Sequence, residues 1–98
     1  MDKDPIPRWD GKHPRLKFKT WLKDLRMWRH ATAFPLSQHG LKLMRSFDPD
    51  SWLKASADRV PEEVLLSEEG YEAILREITR QMKPILDLEP EVVMEEYL

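Results

Sequence analysis

The residues able to do chemistry in this chain are few and scattered. His13, His30 and His39 are the three histidines. A helical metal site or acid–base pair needs a second His, Asp or Glu one turn away, at i, i+4. None of the three has one; His39 has Lys42 and Leu43 nearby instead. Glu62-Glu63 and Glu68-Glu69 are adjacent carboxylates of a kind that can divide acid and base roles. Each pair stands near a helix start, where negative charge meets the positive end of the helix dipole. Ser37, Ser46, Ser51, Ser56 and Ser67 have no His/Asp order around them. No Gly-rich phosphate loop, G-x-S-x-G or H-E-x-x-H occurs. The chain has no cysteine, which excludes disulfides, zinc knuckles and thiol catalysis. The reading is a non-enzymatic chain, with no catalytic residue, no metal and no cofactor.

The chemistry that remains is charge. Arg15, Lys19, Lys23, Arg26 and His30 fall on one flank of a single helical stretch, with Arg8 and Lys12 nearby. Such a stripe can neutralise phosphates or meet an acidic protein surface. Met27 projects away from the apolar arc of the same stretch. Arg15, Lys19, Lys23, Arg26 and Met27 are therefore the candidate interface, set against the plainer reading of a solvated helix flank. The net charge of −2 hides a split. Residues 1–45 hold 11 Lys/Arg against 4 Asp/Glu, and residues 46–98 hold 5 against 14. A bipolar chain can pair internally, attract a copy of itself, or offer its basic half to nucleic acid.

The element that positions the stripe also builds the core. Phe18, Trp21, Leu22, Leu25 and Trp28 recur at i, i+3, i+4, i+7 and i+10. At about 100° per residue they share an arc of roughly 120°. One helix, from about Pro14 or Arg15 to Ala31, thus carries an aromatic core face beside a basic flank. Arg29 projects close to the core arc, where it should pair with a carboxylate or lay its stem over apolar neighbours.

Before this helix, Pro5, Pro7 and Pro14 predict an extended arm over 1–14. Trp9 is expected to fold back onto the domain, with docking on a neighbouring subunit as the alternative. After it, a helix is predicted over about Pro35 to Phe47, with Leu36, Gly40, Leu43, Met44 and Phe47 inward. Gly40 on that face points to the close approach of another helix backbone. Asp48-Pro49-Asp50 reads as the cap and first turn of a short helix to Asp58, carrying Trp52, Leu53 and Ala57. A helical turn follows at Pro61–Leu66, tucking in Val64 and Leu65 or Leu66. Ser67 is expected to cap a helix with Tyr71, Ile74, Leu75, Ile78 and Met82 inward, ending or kinking at Lys83-Pro84. A last helix is expected from Pro90, carrying Val92, Val93, Met94, Tyr97 and Leu98. The fold class is all-α: a compact bundle of about five to six short helices. Residues 15–98 read as a single helical domain, and no apolar run reaches the length of a membrane span.

Taken together, Trp9-Asp10-Gly11, Phe18…Trp21-Leu22…Leu25…Trp28, Pro35…Gly40-Leu41…Leu43…Ser46-Phe47 and Gly70-Tyr71…Ile74-Leu75 resemble the capsid region of Gag polyproteins from LTR retrotransposons. The resemblance covers about residues 9–82 and is carried by aromatic and leucine spacings. Asp48-Pro49-Asp50-Ser51 stands where that family has small residues. The resemblance implies a retroviral or retrotransposon capsid-like fold. It also implies one lobe, the N-terminal one, of a larger polyprotein, acting by self-association in a shell around element RNA. The expected partner is thus first another copy of the chain. A helical module that binds a peptide or protein, such as a host-adopted Gag-like domain, is the second reading. Nucleic-acid binding through the basic face of the first helix, with RNA as ligand, is the third. The expected location is cytoplasmic, from the lack of cysteine and of a signal-peptide pattern at Met1-Asp-Lys-Asp-Pro.

Overall fold

The computed structural model describes residues 5–86. Five helices lie among them: α1 Pro14–Ala31, α2 Leu36–Arg45, α3 Trp52–Ala57, α4 Glu62–Leu65 and α5 Gly70–Leu86. The described residues contain no strand, and the fold is a small all-α bundle. The helix expected from Pro90 lies outside the described residues. No helix among the described residues is long and apolar enough to cross a membrane.

Local chemistry sets the helix ends. Pro14 opens α1, where its missing N–H costs nothing, and His13 before it takes a left-handed φ of 54°. Arg29 and His30 in the last turn complement the negative helix end. Pro35 stands just ahead of α2 as its cap residue, rather than inside the first turn. The start of α3 also differs from expectation. Ser51, not Asp48, caps it, its Oγ accepting the Lys54 N–H at 3.2 Å. Asp48 makes the preceding turn instead, its Oδ1 accepting the Asp50 N–H at 3.1 Å. Ser67 likewise belongs to a turn. Its Oγ donates to the Val64 carbonyl at 2.7 Å and accepts the Glu69 N–H at 3.1 Å, and α5 begins only at Gly70. α5 does not end at Lys83-Pro84 but continues through Pro84 to Leu86.

α5 is the central element, packing on α1, α2, α3 and α4. The α1 residues Phe18, Trp21, Leu22, Leu25 and Trp28 are all buried. Leu43, Phe47, Leu53, Ala57, Leu65, Tyr71, Ile74, Leu75, Ile78 and Met82 close the interior. Of the α4 pair, Leu65 turns in and Leu66 out. Trp9 folds back into the main cluster, its ring centroid 5.8 Å from Phe18, 5.2 Å from Trp21 and 5.9 Å from Trp52. Hydrogen bonds hold that fold-back. Trp9 Nε1 donates to the Lys12 carbonyl at 2.8 Å, and Trp52 Nε1 to the Gly11 carbonyl at 2.9 Å. Gly11 has φ +83°, a left-handed conformation that favours glycine. Trp52 is half-buried, lying over this turn rather than inside the bundle.

The buried arc of α2 keeps Gly40, Leu43 and Phe47 of the expected face, with Met44 half-buried against the core, and is turned toward His39 and Ser46. His39, Gly40, Leu43, Ser46 and Phe47 are buried, while Leu36 is exposed. Leu36 is the first helical residue, one turn ahead of the point where Gly40 meets α5. A Cβ on Gly40 would stand 2.8 Å from Gly70 Cα and from the Leu65 carbonyl oxygen. The close backbone approach expected at Gly40 is therefore an approach to Gly70 and to the α4 carbonyl.

Candidate interaction surface

The basic flank of α1 lies on the outside of the bundle. Arg15, Lys19, Lys23 and Arg26 are exposed. Two large apolar residues accompany them, Leu16 at 78% exposure and Met27 at 59%. Leu16, Thr20, Lys23 and Met27 fall at i, i+4, i+7 and i+11, so they form one narrow line opposite the core arc. The surface of α1 is thus a cationic face with an apolar residue toward each end. The remaining predicted core positions, Gly40, Leu43, Phe47, Tyr71, Leu75 and Ile78, are all buried.

At the far end of α1, Arg29 crosses to α5 and α2. Its Cζ lies 4.0 Å from the centroid of the Tyr71 ring. Its Nε donates to His39 Nδ1 at 3.1 Å, and Nη1 stands 4.0 Å from Glu72 Oε1. His39 is 1% exposed. Its Nε2 is 3.0 Å from the Phe34 carbonyl oxygen. Because Nδ1 accepts from Arg29, the ring proton belongs on Nε2, which donates to Phe34. The Trp28 ring covers the imidazole, with centroids 5.0 Å apart. His39 is therefore a satisfied core histidine that anchors Arg29. Its position four residues before Leu43, on the Leu43 side of α2, is the signal that marks it as inward.

Between α1 and α5 runs a cleft lined by Arg26 and Arg29 on one wall and Arg76, Arg80 and Lys83 on the other. Glu72 is the acid in its lining; Leu22, Tyr71 and Leu75 form the floor. The three α5 cations come from the acidic half of the chain. The charge split along the sequence is thus not the split in space: α5 turns its cations toward the basic α1. Their spacing, i, i+4 and i+7, is legible in the sequence, but only the packing of α5 on α1 brings the two rows together. Arg80 Nη1 also pairs with Glu77 Oε2 at 3.0 Å. The acids Glu62, Glu63, Glu68 and Glu69 are exposed around α4 and the turn into α5, beside the exposed Leu66.

A second cleft lies under the arm, lined by Arg8, Trp9, Asp10, Lys17, Arg45 and Phe47 among others. Asp10 Oδ1 accepts the Lys12 N–H at 2.9 Å. That bond, with the charges of Lys12 and Lys17, holds the Asp10 carboxyl below its ordinary value of 3.8. Among the described residues no three His, Asp or Glu side chains come together as a metal-binding set. The arrangement can bind charged surfaces through cations on two helices. Comparison with protein-family models, with curated proteins and with solved structures gave no match.

Proposed function

We propose that this chain is a non-enzymatic structural domain that acts by self-association, in the manner of a Gag capsid N-terminal lobe. The observation that carries the reading is the outer face of α1. Leu16 and Met27 stand exposed on it among Arg15, Lys19, Lys23 and Arg26, while acids surround the exposed Leu66 elsewhere on the same molecule. Scattered exposed apolar residues are ordinary. Apolar residues set in faces of opposite charge are what a contact between copies uses, with charge steering and apolar burial holding. The aromatic and leucine spacings of residues 9–82 add the resemblance to capsid lobes.

Light scattering on Lys19→Glu/Lys23→Glu beside the wild type tests this reading. Both side chains are exposed, so the fold should hold, with far-UV circular dichroism as the check. The reading expects a lower apparent mass for the variant at equal concentration. An unchanged mass would remove α1 from the contact.

Nucleic-acid binding, the third reading of the sequence, is the alternative favoured by the cations of α1 and α5 that share one cleft. It expects retention on single-stranded RNA at low salt, lost steeply as salt rises. No retention at low salt ends it.

A further inference from the structure

The exposed face of α5 has a charge order that fits its own reverse. Glu68 and Glu69 precede the helix, Glu72 lies in its first turn, and Arg76, Arg80 and Lys83 follow. At about 100° per residue, Glu72, Arg76, Arg80 and Lys83 share an arc of about 80°. Glu68, Glu69, Glu72, Arg76, Arg80 and Lys83 are all exposed. The helix dipole accounts for acids at the start and Lys83 at the end. It does not account for Arg76 in the middle of the helix; Arg80, on the same line, pairs with Glu77. Arg76 makes no ion pair to a described residue, and Glu72 Oε1 stands 4.0 Å from Arg29 Nη1.

We infer that this face of α5 is a two-fold contact in which two copies of the chain pair their α5 helices antiparallel. The inference rests on the self-association reading and gives it a second surface besides α1. In a two-fold interface the same patch meets itself, so it must be self-complementary. Antiparallel pairing centred between Glu72 and Arg76 sets Glu72 of each copy against Arg76 of the other. The same register brings Glu68, in the turn ahead of each helix, toward the Arg80 end of the other, where Arg80 also pairs with its own Glu77. Each pair occurs twice, and no like charges face each other at the axis.

Two single reversals, Glu72→Lys and Arg76→Glu, and the double swap carrying both test the pairing. Sedimentation equilibrium reads the association constant, and circular dichroism confirms folding. Each single variant puts like charges together twice and should weaken association about tenfold or more. Both the double swap and an equimolar mixture of the single variants should regain wild-type association, because each restores opposite charges in this register. Single variants that associate like the wild type overturn the inference and leave self-association standing. Loss in the single variants without recovery in the swap also overturns it. A monomeric wild type overturns both readings. Should Glu72→Lys unfold through its contact with Arg29, Glu68→Lys with Arg80→Glu makes the same cycle one turn further out.

Discussion

Gly40 of α2 and Gly70 of α5 meet backbone to backbone, with a Cβ on Gly40 reaching within 2.8 Å of Gly70 Cα. The neighbours it would strike are main-chain atoms, which cannot swing aside as a long side chain can. Alanine would gain about 1 kcal/mol of helix propensity over glycine. The overlap should outweigh it, because forcing atoms into a packed interior costs typically about 1–3 kcal/mol. Gly40→Ala is therefore expected to lower the urea midpoint. Gly70→Ala should lower it further, since a Cβ there runs into the Leu65 carbonyl oxygen. A Gly40→Ala protein as stable as the wild type would show that α2 and α5 do not cross this closely.

Trp9 ties the arm to the bundle through rings of α1 and α3. Removing a buried aromatic side chain costs about 3–5 kcal/mol, much of the stability of a small domain. Trp9→Ala should approach that loss in chemical denaturation and blunt the near-UV circular dichroism of the tryptophan cluster. Trp21→Ala should cost as much. Trp21→Phe should cost less, because the buried Trp21 Nε1 has no hydrogen-bond partner among the described residues to lose. An undisturbed near-UV spectrum in Trp9→Ala would detach the arm from the core.

Arg29 should matter through geometry more than charge. Arg29→Lys keeps the cation but cannot donate from Nε to His39. His39→Ala strips both Arg29 and the Phe34 carbonyl of their partner in a buried place, at about 1–3 kcal/mol for the unpaired groups. Both variants are expected to lower the denaturation midpoint, His39→Ala the more. Equal stability of Arg29→Lys and wild type would reduce the Arg29–His39 bond to a surface contact.

Much of this fold is legible in the sequence because it is written in local spacing. The core arc of α1 follows from 3.6-residue periodicity, and the fold-back of Trp9 from a large aromatic set on a proline-rich arm. What was not legible depends on partners distant in the chain. His39 is polar, and only Arg29 and Phe34 make its burial tolerable. Ser51 displaces Asp48 as the α3 cap because Asp48 spends its side chain on the tighter turn to Asp50. Arg76, Arg80 and Lys83 lie in the acidic half of the sequence, and only the packing of α5 against α1 sets them beside Arg26 and Arg29. Of the candidate interface, the α1 residues followed from periodicity; the α5 face required the packing.

Asp10 offers a pH-dependent check on the arm. Its carboxyl is held below 3.8 by the Lys12 N–H in the folded chain. A group with a depressed folded pKa stabilises fully above its unfolded value and loses that contribution as pH falls through the folded one. The contribution of the Asp10–Lys12 turn to stability should therefore be complete above the ordinary carboxylate range and fade below it. An NMR titration of Asp10 is expected to show a midpoint below 3.8. A midpoint at or above that value would mean the Asp10–Lys12 turn is not formed in solution.

The central claim is that the domain works by meeting copies of itself through charged faces. Sedimentation of the wild-type chain over a wide concentration range, at low and high salt, tests it most directly. The account predicts a mass that rises with protein concentration and falls as salt screens the contact, since the Debye length shrinks from about 30 Å at 0.01 M to about 3 Å at 1 M. A strict monomer at high concentration under every salt condition would contradict it.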